Sequence, residues 1–561
     1  LGAGLLAAEA PFHLEQCPRV ILAHSPGHYI LRSVASSKYP HFRHIDLEEL
    51  MKTLTGRTDN RIARLLVLSL SFFLFVPLSQ AADAQKKPAD LKQDFLKMFA
   101  RAYYPGRSGQ IMLVPQQGEI LTRTNAPLVS FMHGSPWDYD RNIPLLFFGP
   151  PFVRQGSYSR ATIQQDIVPT LAALLKLPLP STVSGRPLSE AVNPTAGRPR
   201  TILLIVLDGM RQDYFERHSA VLPTLTRLRH EGAWFNNTRV NFLPTVTTLG
   251  HASIGTGTDP RVHGIVLNSF FDRLNAKSQN PYGSNAPNTL MALTLADIWN
   301  LKTDGQAAII VQGGSFEAAA GLGGHGACLF NARPIILTSY SGDGSWETNS
   351  SCYKLPEYLK NQKSRQLWES VQGKWMGHDI ANPVGVSRSA LFPKFQADAL
   401  ISTIENEPVG TGEFTSLVFA NMKAPDYVGH QYGPDSAELE ATLAEQDRQV
   451  ARVIQALEKK VGANQFLVVI TADHGMPSEP QAPRKRYFDK DFIELVNKKF
   501  DPERNAVVAN FDAANTQVFI NKARLRELGL SLSQIKEFLE AQPFIFAAYT
   551  EDEIERAASL P

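Results

Sequence analysis

Three runs in the second half of the chain are apolar at consecutive positions rather than at every second or third one. They are TILLIVLDG from Thr201, SLVFANMKAPD from Ser416 and FLVVITADHG from Phe466. A strand apolar on both faces belongs in a parallel sheet covered by helices on each side. Each run leads to an acidic residue, Asp208, Asp426 or Asp473, and open α/β sheets gather ligands at the carboxyl ends of their strands. Helices are predicted in the intervals, for example from Ser436 to Lys460, where good helix formers follow an amphipathic pattern. The pattern predicts the α/β class, with a mainly parallel central sheet.

The first half carries a second set of signals. Gln85 to Asp94 is polar and reads as a short linker, and a compact unit follows from Phe95 to Val192. Within it GQIMLVPQ and IPLLFFGP read as short strands, and QQDIVPTLAALLKL has the three-and-four apolar spacing of a helix. AVNPTAGRPRT, from Ala191, has the Pro, Gly and small residues of a linker. Between about Ser269 and Pro408 the periodicity degrades and Gly, Pro, Asn and Ser are frequent. This stretch reads as an inserted cap over the site, with TLADIWNLK as one helix. There is no internal repeat.

Composition changes the picture mainly at the beginning. Lys52, Arg57, Arg61 and Arg64 precede the apolar segment LLVLSLSFFLFVPL, and Ser79-Gln80-Ala81 supplies the small residues of a cleavage site. This reads as a signal peptide over 51–81, cut after Ala81, so the protein is expected to be exported to a periplasmic or extracellular location. The competing reading is a membrane anchor, but a spanning helix needs roughly 20 apolar residues, and this run is shorter and contains Pro77. Residues 1–50 then form an upstream extension outside the mature protein, with His24, His28 and His44 incidental. The expected organisation continues with an early segment over 82–198 and a main catalytic domain over 199–561, the cap occupying about 269–408. Cys17 precedes the leader, leaving Cys328 and Cys352 either as one disulfide in an oxidising compartment or as two buried thiols. At 43% hydrophobic and 20% charged residues, with a net charge of +2 over 561 residues, the chain can bury a large core. That charge gives no reason to expect a nucleic-acid partner.

The candidate chemistry lies at the strand ends. DYVGH places Asp426 and His430 four residues apart, ADHG supplies adjacent Asp473 and His474, and Asp208 closes the first run. His133, in HGSPWDYD, lies upstream of them all. Together these six form two sets of three ligands. Imidazole and carboxylate donors with room left for substrate suit two divalent metals, zinc above all. LPTVTTLGHASIGTG offers several hydroxyl groups, of which Thr247 is the best nucleophile, just ahead of a helix start whose free N–H groups favour an anion. The bland reading of that stretch is a Ser/Thr-rich cap.

Taken together, IVLDGMRQDY, PTVTTLGHASIGTGTDPRVHGIVLN, APDYVGHQYGP, VVITADHGM and HGSPWDYD resemble the alkaline phosphatase superfamily, in its type I phosphodiesterase/nucleotide pyrophosphatase branch. YYPGRSGQIMLVP and QDIVPTLA are similar to it too. The resemblance implies an alkaline phosphatase-like α/β/α sandwich. It assigns one zinc to Asp426, His430 and His133, and surrounds the other with Asp208, Thr247, Asp473 and His474. Asn268 then contacts a phosphoryl oxygen, while His251 and His263 are structural. The implied reaction is phosphoric ester hydrolysis by double displacement, through a phospho-threonine on Thr247. The implied partner is a small phosphate ester, with no stable membrane anchor.

The chain departs from the family in two ways. The HGS, YPGRSG and QDIVPTLA segments normally close the chain, whereas here they come first, and YTEDEIERAASLP at the end matches what would run into KMFARAYYPGRSG. A circular permutation is therefore inferred, with the stretch near Val192 to Arg200 bridging the old termini; the alternative is a tandem gene cut in mid-copy. Secondly, monoesterase relatives often carry Lys and Arg in a Ser-x-Lys-x-Arg element, and the comparable SFEAA here has Glu317 and Ala319. Losing two cations disfavours a monoester dianion, so phosphodiesters or nucleotide pyrophosphates come first and phosphomonoesters second. A sulfatase is disfavoured because no Cys-x-Pro-x-Arg or Ser-x-Pro-x-Arg element is found. The rival from another class is a catalytically silent, metal-stabilised binding protein.

Overall fold

The structure, a computed structural model, describes residues 20–25, 28–33, 86–124, 127–193 and 195–559. Two compact units divide it, residues 1–78 and 79–561. In the first, Val20–Ser25 and His28–Ser33 pair as antiparallel strands, where the sequence shows no strand period. The leader over 51–81, and His44, lie outside the described residues.

The second unit is mixed α/β, built around a large, mainly parallel sheet. Its centre is Thr201–Leu207, flanked in parallel by Ser416–Met422 on one side and Phe466–Thr471 on the other. Successive residues of the central strand face opposite ways. Ile202, Leu204 and Val206 enter one apolar cluster with Leu171, Ala252, Trp299 and Ala319. Leu203, Ile205 and Leu207 enter another with Leu225, Leu400, Leu443 and Val450. Helices therefore cover both faces, as the continuous apolar runs require.

The stretch read as a cap over 269–408 needs correction. Ile309–Gly313 pairs in parallel with Ser416–Met422, and Ile335–Tyr340 pairs in parallel with Ile309–Gly313. Two strands of the main sheet thus come from inside it. Their apolar runs are only a few residues long and are bounded by Gly and Pro, so they carry little periodicity. A disulfide joins Cys328, in the segment connecting these two strands, to Cys352, in the loop after the second, with Cα atoms 4.8 Å apart.

The early segment is woven into the rest of the unit. Leu145–Phe148 runs antiparallel to Phe466–Thr471 and extends the main sheet towards Ala233–Phe235. Ile111–Pro115 lies between Gln517–Ile520 and Ile545–Thr550 in a four-stranded antiparallel sheet. The expected linker Gln85–Asp94 is another difference, because the helix Pro88–Ala102 begins within it. Proline suits the first helical position, and Phe95, Met98 and Phe99 are fully buried. At about 1.5–3 kcal/mol for each such side chain, their burial outweighs the polar character that suggests a linker. Phe95 packs edge-on to Trp137 and Phe546. Tyr103, at the end of this helix, donates from its hydroxyl to Glu555 of the terminal helix Glu551–Ala558.

Candidate metal centre

Three neighbouring parallel strands deliver the acidic residues to one end of the sheet. Thr201–Leu207 leads directly into Asp208, and the next residue, Gly209, has φ +69°. A Cβ on Gly209 would lie 3.0 Å from the Asp426 Cα, so the turn needs glycine for both conformation and space. Ser416–Met422 runs through Lys423 into the helix Ala424–Tyr432, where Asp426 and His430 stand one turn apart on one face. Phe466–Thr471 ends two residues before Asp473 and His474. The helix Thr247–Thr256 packs directly over that third end, since a Cβ on Gly250 would meet the Asp473 Cβ at 2.6 Å.

Two groups of potential ligands result. His133, Asp426 and His430 form one and Asp208, Asp473 and His474 the other, with ligand atoms in each within 4.8 Å of one another and every residue buried. The groups adjoin, for the His133 and His474 rings stack with centroids 3.6 Å apart. In the first group Asp426 Oδ1 lies 3.5 Å from His133 Nε2 and 3.3 Å from His430 Nε2. In the second, His474 Nε2 lies 3.2 Å from Asp473 Oδ2 and 3.5 Å from Asp208 Oδ1.

The residues fit cations on two independent grounds. First, all three imidazoles use Nδ1 on main-chain carbonyls, His133 on Thr245 at 2.8 Å, His430 on Phe131 at 2.5 Å and His474 on Gly475 at 2.9 Å. An Nδ1–H donating to a carbonyl leaves an Nε2 lone pair facing the group, the arrangement that orients metal-binding histidines. Second, Asp426 Oδ1 and Asp473 Oδ2 are buried with no hydrogen-bond partner among the described residues, and buried carboxylates require compensation. Burial, reinforced by Asp473, pushes the Asp208 carboxyl up to about 7. Burial lowers His430 to about 3, keeping it neutral. Burial opposes a charge on His474 too, but Asp473 and Asp208 raise it to about 9, so a cation bound there would displace the Nε2 proton and free that lone pair.

Thr247 stands at the first turn of its helix, with Oγ1 3.2 Å from His474 Nε2. Asn268 Oδ1 accepts from the Thr248 N–H and hydroxyl at 3.1 and 2.8 Å, beside Thr247. His251 is fully buried, bonded to the Thr247 carbonyl and to Asn421. His263 pairs with Ser253. Neither belongs to a ligand group.

Three contributors went unrecognised in the sequence. Lys423 is buried, with Nζ donating to Asp208 Oδ1, Asp426 Oδ2 and Thr247 Oγ1. Burial alone would lower its pKa, but the Asp208 and Asp426 charges hold it above the usual range. Asn421 donates to Asp208 Oδ2 at 2.8 Å. Asp140 Oδ2 accepts from the Gly134 and Ser135 N–H groups and the Ser135 hydroxyl, bracing the turn after His133. The one available signal was a lysine at the end of a strand otherwise predicted to be buried. The early segment also holds the third strand end, where Gln164 Nε2 donates to the carbonyls of Ala472 and Asp473.

Residues 202–557 match the family model described as type I phosphodiesterase / nucleotide pyrophosphatase. Among known proteins, the chain is 26% identical over 420 residues to alkaline phosphatase PafA of Elizabethkingia meningoseptica, spanning 64% of this chain and 76% of that one. To alkaline phosphatase PhoV of Synechococcus elongatus it is 26% identical over 396 residues, 61% of this chain and 72% of that one. The crystal structure of wild-type PafA superposes with a TM-score of 0.55 at 22% identity, covering 65% of this chain and 81% of that one. At that identity the superposition establishes the fold.

Proposed function

Since the chain belongs to the type I phosphodiesterase / nucleotide pyrophosphatase family and is a phosphoric ester hydrolase, we propose that it is an exported enzyme cleaving phosphodiester or nucleotide pyrophosphate bonds through a phospho-threonine on Thr247. The observation that carries this reading is the position of Thr247 Oγ1, on a helix N-terminus and in contact with His474 and Lys423 at the edge of both ligand groups.

His133, Asp426 and His430 would hold one divalent ion and Asp208, Asp473 and His474 the other, zinc suiting both donor sets. Such ions supply Lewis acidity at phosphoryl oxygens and lower the pKa of a nearby alcohol or water. Thr247 Oγ attacks phosphorus, its proton passing to solvent water, as the bond to the leaving oxygen breaks. That oxygen departs and takes up a proton. Water then attacks the phospho-threonine, the P–Oγ bond breaks, and Thr247 recovers a proton. Asn268, beside the nucleophile, is placed to meet a phosphoryl oxygen. Glu317 and Ala319, where monoesterase relatives carry cations, support a substrate of lower charge. Phosphomonoesters are the second substrate class, favoured by the two relatives being named alkaline phosphatases.

Circular permutation is part of the same proposal. It is supported by the pairing of Ile111–Pro115 with Ile545–Thr550, which draws the early segment to the end of the chain. Export rests on the leader; among the described residues no helix is long and apolar enough to cross a membrane.

Hydrolysis of aryl phosphate mono- and diesters, with and without chelator and in Thr247→Ala, tests the mechanism. Turnover should favour the diester, stop with chelator, and fall about 1,000-fold or more in the variant. Faster monoester hydrolysis would reverse the substrate order. Binding without turnover would favour the silent binding protein.

A further inference from the structure

Lys423 is a buried ammonium that touches both ligand groups and the nucleophile. Its Nζ lies 2.8 Å from Asp208 Oδ1, 2.7 Å from Asp426 Oδ2 and 2.9 Å from Thr247 Oγ1. The Asp426 carboxylate is divided between two tasks. Oδ2 accepts from the ammonium, while Oδ1 faces His133 and His430 and has no hydrogen-bond partner among the described residues. The lysine can therefore stay in place while Oδ1 serves as a ligand. Its main chain is fixed as well, with the N–H donating to Gln396 Oε1 at 3.1 Å. A Cβ on Gly314 would meet the Lys423 Cβ at 2.2 Å, so glycine there leaves room for the stem.

A counterion for buried carboxylates has no need of the third contact, the one to the Thr247 hydroxyl. We propose that Lys423 is a catalytic residue whose fixed ammonium, bonded to Thr247 Oγ1, faces the phosphoryl group and supplies positive charge that Glu317 and Ala319 do not. This rests on Thr247 being the nucleophile. The lysine acts by its charge and moves no proton. It stabilises negative charge developing on the phosphoryl oxygens as the bond to Thr247 forms, an effect available only when the donor is already in place. One cation in place of two matches a singly charged diester better than a dianionic monoester.

The test uses the zinc-loaded protein and Lys423→Met, which keeps the stem and removes the charge. The expected result is a fall of about 100-fold in kcat on an aryl phosphodiester, with KM little changed and zinc content equal to wild type. Wild-type kcat at equal zinc content would overturn the proposal. So would a loss of zinc whose effect on kcat is fully reversed by excess zinc, because the lysine would then only be holding the carboxylates. Should the variant fail to fold, the wild-type crystal structure with zinc and orthovanadate decides. Nζ within hydrogen-bonding distance of a vanadate oxygen supports the assignment, and Nζ turned away overturns it. Thr247→Ala separates the two readings. Wild-type turnover in that variant removes the nucleophile reading and this one with it. An inactive Thr247→Ala beside a fully active Lys423→Met removes only the role of Lys423.

Discussion

Main-chain carbonyls aim the imidazoles of the candidate metal centre, and that makes each ring sensitive to the loop carrying it. His133 depends on Thr245 and on a turn braced by Asp140. Replacing His133 with alanine should lower the zinc bound per chain by one at limiting zinc, measured by atomic emission, because the other group keeps its three donors. Unchanged stoichiometry would exclude His133 as a ligand. His263 behaves differently. Burial lowers its pKa from 6.5 to about 3, so between those values the unfolded chain binds a proton that the folded chain does not. Stability is then complete above the unfolded value and falls with acidification by about 1.4 kcal/mol per pH unit. His263→Gln should flatten this slope in urea titrations at about pH 7 and about pH 5; equal slopes in both proteins would contradict the assignment. At this scale the sequence made the acidic strand ends and their histidines legible, because residue type and position coincide. Lys423 and Asn421 were not legible, since their roles depend on which side chains face them across the sheet.

Among the elements, long apolar strands announce themselves and short ones do not. Thr201–Leu207 is apolar on both faces, whereas Ile309–Gly313 ends in Gln312 and Gly313 and gains its place only by pairing with Ser416–Met422. The helix Pro88–Ala102 was similarly concealed, because its first turns are polar and its buried face becomes apparent only from Phe95 onward. The Cys328–Cys352 disulfide closes a loop with a sequence separation of 24, for which chain entropy predicts a contribution of about 3 kcal/mol. Changing both cysteines to serine should lower the urea midpoint accordingly without altering the denaturant slope by much. No shift in midpoint would mean that the loop is already restrained in the unfolded chain.

For the molecule as a whole, the early segment supplies two strands to the main sheet and one to the smaller sheet, a ligand candidate in His133 and the amide of Gln164 that holds the Asp473 turn. A rearranged chain running 199–559 and then 86–198, joined through a short flexible loop, should fold and retain turnover within about tenfold, since permutation is tolerated where the joined ends are near and exposed. An insoluble or inactive product would count against the permutation. The central place of Ile111–Pro115, between strands beginning at Gln517 and Ile545, also sets a timetable. A ribosome makes that strand hundreds of residues before its two neighbours. The smaller sheet therefore cannot close until both later strands have emerged, and assembly waits on contacts of very long sequence separation, which form slowly. Meanwhile an apolar strand edge stays open, so holdase chaperones should capture this protein during synthesis more readily than a relative in which the three strands are made in succession.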